Sequence, residues 1–89
     1  MRIEVTRSGG FAGITRRAVL DTAGRPGAAA VERLARRVLA EAGPGVPAGV
    51  PDGYRYTVTV DGRTVERADP DTSEDLEELV ERVLRDGTR

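Results

Sequence analysis

Histidine and cysteine are both absent from the 89 residues of this chain. Without them the chain cannot build a serine-histidine-aspartate or cysteine-histidine triad, a histidine- or thiolate-ligated zinc site, or a disulfide framework. Carboxylate, guanidinium and hydroxyl groups remain, and no pattern in the sequence brings two carboxylates together as an acid and a base. We therefore expect a protein that is not an enzyme and that holds no metal or cofactor.

Lysine is absent as well, so all fourteen basic side chains are arginine, against fifteen acidic ones, for a net charge of -1. This balance creates no global field towards nucleic acid or an anionic membrane. No stretch approaches the roughly twenty apolar residues of a membrane span, and residues 1–5 are typical of a strand, not of a signal peptide. The expected location is cytoplasmic, with neither nucleic acid nor membrane as a partner.

Two strands are predicted in the first part of the chain. Ile3 and Val5 alternate with polar residues, which is typical of a half-buried strand. A second extended stretch, from Ile14 to about Leu20, places Ala18 and Leu20 on one face. The intervening residues 8–13 include three glycines and are too many for a two-residue turn, so they predict a projecting loop.

Apolar residues spaced three and four apart predict two helices. The second helix is predicted to begin at a capping box formed by Thr72 and Asp75 and to end at Gly87. The apolar stripe of the first helix, which follows a turn at residues 24–27, is Val31, Leu34, Ala35, Val38, Leu39 and Ala42. That of the second is Leu76, Leu79, Val80, Val83 and Leu84.

A β-hairpin is predicted over residues 54–68. Apolar and polar residues alternate on both sides of an Asp-Gly pair at residues 61–62, which favours a type I′ turn. That turn would place Val58 opposite Val65 on one face. The connector before the hairpin, residues 43–53, holds three prolines and is predicted to be irregular, either floppy or a second contact loop.

The predicted element order is β-β-α-β-β-α. The corresponding fold class is α+β, with one antiparallel four-stranded sheet and two helices packed on one face. A chain of 89 residues has room for one core, so residues 1–89 are expected to form a single domain, monomeric when free.

Acidic residues crowd the second predicted helix and could in principle bind a divalent cation through oxygen ligands. They are Glu74, Asp75, Glu77, Glu78 and Glu81. Their positions are those of a solvated helix face, and the first two lie where the helix dipole favours anions. We interpret them as that face.

The glycine-rich segment lacks the spacing of a phosphate-binding loop and leads into a strand, not a helix. Phe11, the one phenylalanine, either is an exposed anchor for a partner or folds back over one end of the core. Arg7, Arg16 and Arg17 bracket the segment, where they either bind acidic groups of a partner or solvate strand edges.

Residues 2–13 resemble the opening of emfourin-type proteins, with R-S-G-G-F-A-G intact from Arg7 to Gly13. The resemblance implies a protein inhibitor of thermolysin-type zinc metallopeptidases, especially protealysin-like enzymes, that blocks the active-site cleft. The alternative is a non-catalytic interaction module with an unrelated protein partner. The residues predicted to bind the partner are Arg7, Ser8, Gly9, Gly10, Phe11, Ala12 and Gly13.

Overall fold

Four antiparallel strands form one sheet in the order β2-β1-β3-β4. The structure is a computed structural model that describes residues 1–10, 13–41, 53–69 and 71–88. Its elements are β1 (Arg2–Gly9), β2 (Arg16–Asp21), α1 (Ala28–Ala40), β3 (Tyr54–Val60), β4 (Arg63–Ala68) and α2 (Glu74–Asp86). The predicted fold class and element order are confirmed.

One apolar row crosses all four strands and sets the register of the sheet. Val5 lies opposite Ala18 of β2 and Val58 of β3, and Val58 lies opposite Val65 of β4. All four side chains are buried. Side chains alternate between faces along a strand, so this row puts the apolar positions of every strand on one face and confirms the predicted pairing of the hairpin.

Both helices cover that apolar face. α2 packs on β1 and β2, α1 reaches β4, and the two helices contact each other. The helix residues buried in the shared core are Leu34, Ala35, Val38, Leu76, Leu79, Val80 and Val83. The predicted stripes therefore face the sheet, except that Ala42 lies outside the described residues.

The predicted boundaries of the first hairpin were wrong at both ends of its loop. Ser8 and Gly9 belong to β1 because they pair with Arg55 and Tyr54 of β3, and the local sequence does not reveal this long-range pairing. β2 begins at Arg16, not at Ile14, and extends to Asp21. The segment between the two strands is therefore residues 10–15, not residues 8–13.

The predicted cap of α2 was wrong by one residue. Ser73, not Thr72, is the N-cap, and its hydroxyl oxygen accepts a hydrogen bond from the backbone N–H of Leu76 at 3.0 Å. Both residue types can cap a helix, but the helix begins at Glu74, so only Ser73 has its side chain within reach of the free N–H groups of the first turn.

Ser73→Ala is expected to lower the free energy of unfolding by about 1 kcal/mol, because the N–H of Leu76 loses its partner. In a domain of this size that corresponds to a fall in Tm of roughly 4–8 °C, measurable by circular dichroism. Thr72→Ala is the matched control and is expected to change Tm less. A larger fall for Thr72→Ala than for Ser73→Ala would contradict the assignment of the cap.

Gly87 ends α2, as predicted, although its φ is not positive. Its backbone is extended, and a Cβ there would lie 2.6 Å from the carbonyl oxygen of Val83 and 2.7 Å from that of Val19. Thr88 then pairs with Val19, donating at 2.8 Å and accepting at 2.7 Å. The chain after α2 thus occupies backbone groups of the edge strand β2, and only glycine permits the approach.

Candidate functional site

The glycine-rich segment of residues 8–13, here called the glycine loop, begins in the last two residues of β1, Ser8 and Gly9, and continues into a turn at Gly10. Gly9 and Gly10 have φ of +93° and +73°. The N–H of Gly10 donates to the carbonyl of Gly53 at 3.2 Å, and that of Gly13 donates to the carbonyl of Gly10 at 3.2 Å. The base of the loop is therefore tied to the residue before β3 and to itself.

The two adjacent glycines are required by their neighbours as well as by their dihedral angles. A Cβ at Gly9 would lie 2.7 Å from the carbonyl oxygen of Gly53, and one at Gly10 would lie 2.5 Å from the ring of Tyr54. Since other residues rarely adopt positive φ, a side chain at either position would displace the loop or its support.

Arg7 joins the loop base to α2. Its guanidinium lies 4.8 Å from the centroid of the Tyr54 ring, and its Nη1 donates to Oε1 of Glu81 at 2.7 Å. The Arg7 side chain is 15% exposed and that of Glu81 is 65% exposed, so solvent screens this ion pair. The chief effect of these contacts is to fix the orientation of the Tyr54 ring.

Tyr54 is the part of this site that the sequence did not reveal. Its N–H donates to Oδ2 of Asp69 at 2.9 Å, and its carbonyl accepts from the N–H of Asp69 at 2.9 Å. Its ring lies 6.1 Å from that of Tyr56. From the sequence, Tyr54 is merely one member of the β3 alternation, and no local signal places it against Gly10.

Burial, together with the carboxylates of Asp69 and Glu77, raises the pKa of Tyr56 to about 12. These residues line a pocket of about 380 Å³ between the sheet end and α2, beside Arg7. A phenol with so high a pKa stays protonated at neutral pH. Tyr56 can therefore donate a hydrogen bond there but does not supply an anion or a base.

The predicted binding residues fall into three groups. Arg7, Ser8 and Gly9 lie in β1, and Gly10 and Gly13 lie in the turns that follow. Phe11 and Ala12 lie outside the described residues, so the role of Phe11 stays a prediction.

The connector predicted at residues 43–53 also lies outside the described residues, except for Gly53, whose carbonyl accepts from Gly10. The two bracketing arginines of β2 are both exposed, and Arg17 also donates to Oε1 of Glu4 at 2.6 Å. Arg17 thus solvates the sheet edge through an ion pair, and Arg16 remains accessible to a partner.

Three of the five acidic residues named on the second predicted helix make ion pairs with arginines. Besides the contact of Glu81 with Arg7, Asp75 lies 3.2 Å from Arg37 of α1, and Glu78 lies 3.8 Å from Arg82. Within the described ranges, no group of three or more histidine, cysteine, aspartate or glutamate residues could hold a metal ion. None of the helices described is both long and apolar enough to span a membrane.

The model of the Emfourin family matches residues 5–84, which include all four strands in whole or in part and nearly all of α2. No curated protein and no solved structure matches the chain.

Proposed function

Because the chain belongs to the emfourin family, a family of protein inhibitors of metallopeptidases, we propose that it inhibits a protealysin-like peptidase of the thermolysin type. The inhibitor binds tightly and without a covalent bond. The glycine loop enters or covers the active-site cleft and keeps substrate out.

The construction of the loop base is the observation that carries this proposal. β1 pairing continues through Gly9, the N–H of Gly10 is bound by Gly53, and the ring of Tyr54 lies against Gly10. A binding loop whose base is ordered before it meets its target loses less conformational entropy on association. Such a loop on a rigid sheet is what a cleft-blocking inhibitor requires, and it needs no catalytic group.

Steric exclusion is the proposed mechanism. Phe11 fills an apolar subsite of the peptidase, and the loop backbone occupies the path of the substrate. The chain has no histidine or cysteine with which to bind the catalytic zinc. Any direct contact with the metal would come from a carboxylate or carbonyl oxygen.

The proposal is tested by titrating a protealysin-like peptidase with the purified domain while following hydrolysis of a small peptide. A small substrate is chosen because it loses access only when the cleft itself is closed. We expect activity to fall in proportion to the inhibitor added, up to one equivalent. Full activity at micromolar excess would contradict the proposal and favour an interaction module with an unrelated partner.

A further inference from the structure

Two large hydrophobic side chains are exposed among the residues that the structure describes: Ile14, at 61%, and Tyr54, at 37%. Both lie beside the glycine loop. Tyr54 pairs with Gly9 from the β3 side, and Ile14 lies on the β2 side, two residues before the partner of Arg7. Since β1 lies between β2 and β3, Tyr54 and Ile14 lie on opposite sides of the end of β1.

Ile14 borders a groove that the fold leaves open. The groove, of about 490 Å³, lies between the start of β2 and the end of α2, and Ala18, Leu84 and Gly87 contribute to its wall. A single exposed aliphatic residue is ordinary on a protein surface. Here the residue adjoins both a groove whose wall mixes apolar residues with Thr15, Arg16 and Arg17 and the loop proposed to enter the peptidase, so a partner that covers the loop also meets Ile14.

Tyr54 is exposed but held in place. Arg7 stacks on its ring, Gly10 lies against the ring edge, and both backbone polar groups of Tyr54 are bound by Asp69. An aromatic side chain that is already fixed gives up little freedom when a partner covers it. Tyrosines of this kind are common among the residues that contribute most to binding.

We propose that Ile14 and Tyr54 contact the two rims of the peptidase cleft whose centre the glycine loop occupies. This inference rests on the proposed function. The partner surface it requires has an apolar patch on each side of the cleft, separated by about the width of the loop. Three adjacent contacts, instead of the loop alone, then hold the inhibitor.

The charges around the two flanks give the complex one orientation. Asp69 and Glu77 lie beside the Tyr54 pocket, where Glu81 is paired with Arg7. Arg16 lies beside Ile14, where Arg17 is paired with Glu4. The peptidase rim that meets Ile14 is therefore acidic, and the one that meets Tyr54 is basic or neutral, since like charges across an interface are unfavourable.

Ile14→Ser tests the proposal most directly, because a side chain this exposed can be changed without loss of packing. We expect Ki for the peptidase to rise about five- to tenfold through faster dissociation, with Tm unchanged. Thr15→Ala, at the neighbouring exposed position, is the control and is expected to change Ki less than about twofold. On the other flank, Tyr54→Phe is expected to preserve Ki, and Tyr54→Ser to raise it about tenfold.

The possible outcomes separate this inference from the function on which it rests. If the unaltered domain inhibits and Ile14→Ser inhibits equally well, the rim contact is overturned while the proposed function stands. If the unaltered domain does not inhibit, both are overturned. The exposed side chains could instead contact a second copy of this chain, which sedimentation of the free domain would detect as a dimer. If Ile14→Ser dissociated that dimer and left Ki unchanged, the proposal would be rejected.

Discussion

Replacing Gly9 with alanine is expected to weaken inhibition by about 2 kcal/mol or more, roughly thirtyfold in Ki. The substitution removes no group that could bind the peptidase. It acts on shape, since the new Cβ would lie 2.7 Å from the carbonyl oxygen of Gly53, which is backbone and cannot rotate away. Either β1 or the segment before β3 must move, and the hydrogen bond from Gly10 to Gly53 moves with it.

Gly62→Ala is the matched control for this experiment. Gly62 has φ of +87°, close to the +93° of Gly9, but a Cβ there meets nothing within 4 Å. It lies in the β3–β4 turn, which adjoins Arg2 at the other end of β1 from the loop. Both substitutions carry the strain of positive φ, about 1–2 kcal/mol of stability, and only Gly9→Ala is expected to change Ki.

Thermal unfolding and inhibition should therefore be measured on both variants. Similar losses of inhibition in Gly9→Ala and Gly62→Ala would mean that general destabilisation, not loop position, controls binding. If Gly9→Ala lowered Tm but left Ki unaltered, the loop base would not be part of the interface. The chain would then inhibit through a different site.

Phe11→Ala is expected to cost about 2 kcal/mol of binding free energy or more, again roughly thirtyfold in Ki, if Phe11 is the central anchor. The surrounding glycines and Ala12 are too small to bury the ring within the loop. A partner pocket would therefore cover most of its surface, and truncation would forfeit that burial.

Measuring Tm beside Ki separates the two interpretations of Phe11. An anchor lost from the surface leaves Tm nearly unchanged while Ki rises, whereas a ring folded over the core lowers Tm on truncation. Phe11→Leu, which keeps an apolar side chain, is expected to retain more inhibition than Phe11→Ala. An unchanged Ki in a folded Phe11→Ala variant would reject the anchor.

The hairpin of β3 and β4 shows what local sequence can predict. A two-residue Asp-Gly turn leaves one register, so the pairing of Val58 with Val65 followed from chemistry within a few residues. The apolar face of each helix could likewise be predicted from residues spaced three and four apart. The cap of α2 could not, because Thr72 and Ser73 are chemically similar and only the observed first turn decides between them.

The candidate site depends on contacts that no local pattern records. Gly9 was predicted to lie in the loop because its glycine-rich segment permits positive φ, yet pairing with Tyr54 of β3 extends β1 through it. Antiparallel pairing of β1 with β3 joins segments separated by α1 and the connector. The placement of Tyr54 against Gly10, and of Arg7 on Tyr54, follows from that pairing alone.

The interior position of β1 bears on how the inhibitor survives the enzyme it blocks. A peptidase that severed the glycine loop would divide the chain between β1 and β2, but each new end would remain in the sheet. β1 would still be paired with β3, and β2 would still be held by α2 and by the bridge from Val19 to Thr88. Release of a fragment then requires opening of the core, so the two pieces of a nicked chain stay assembled with each other.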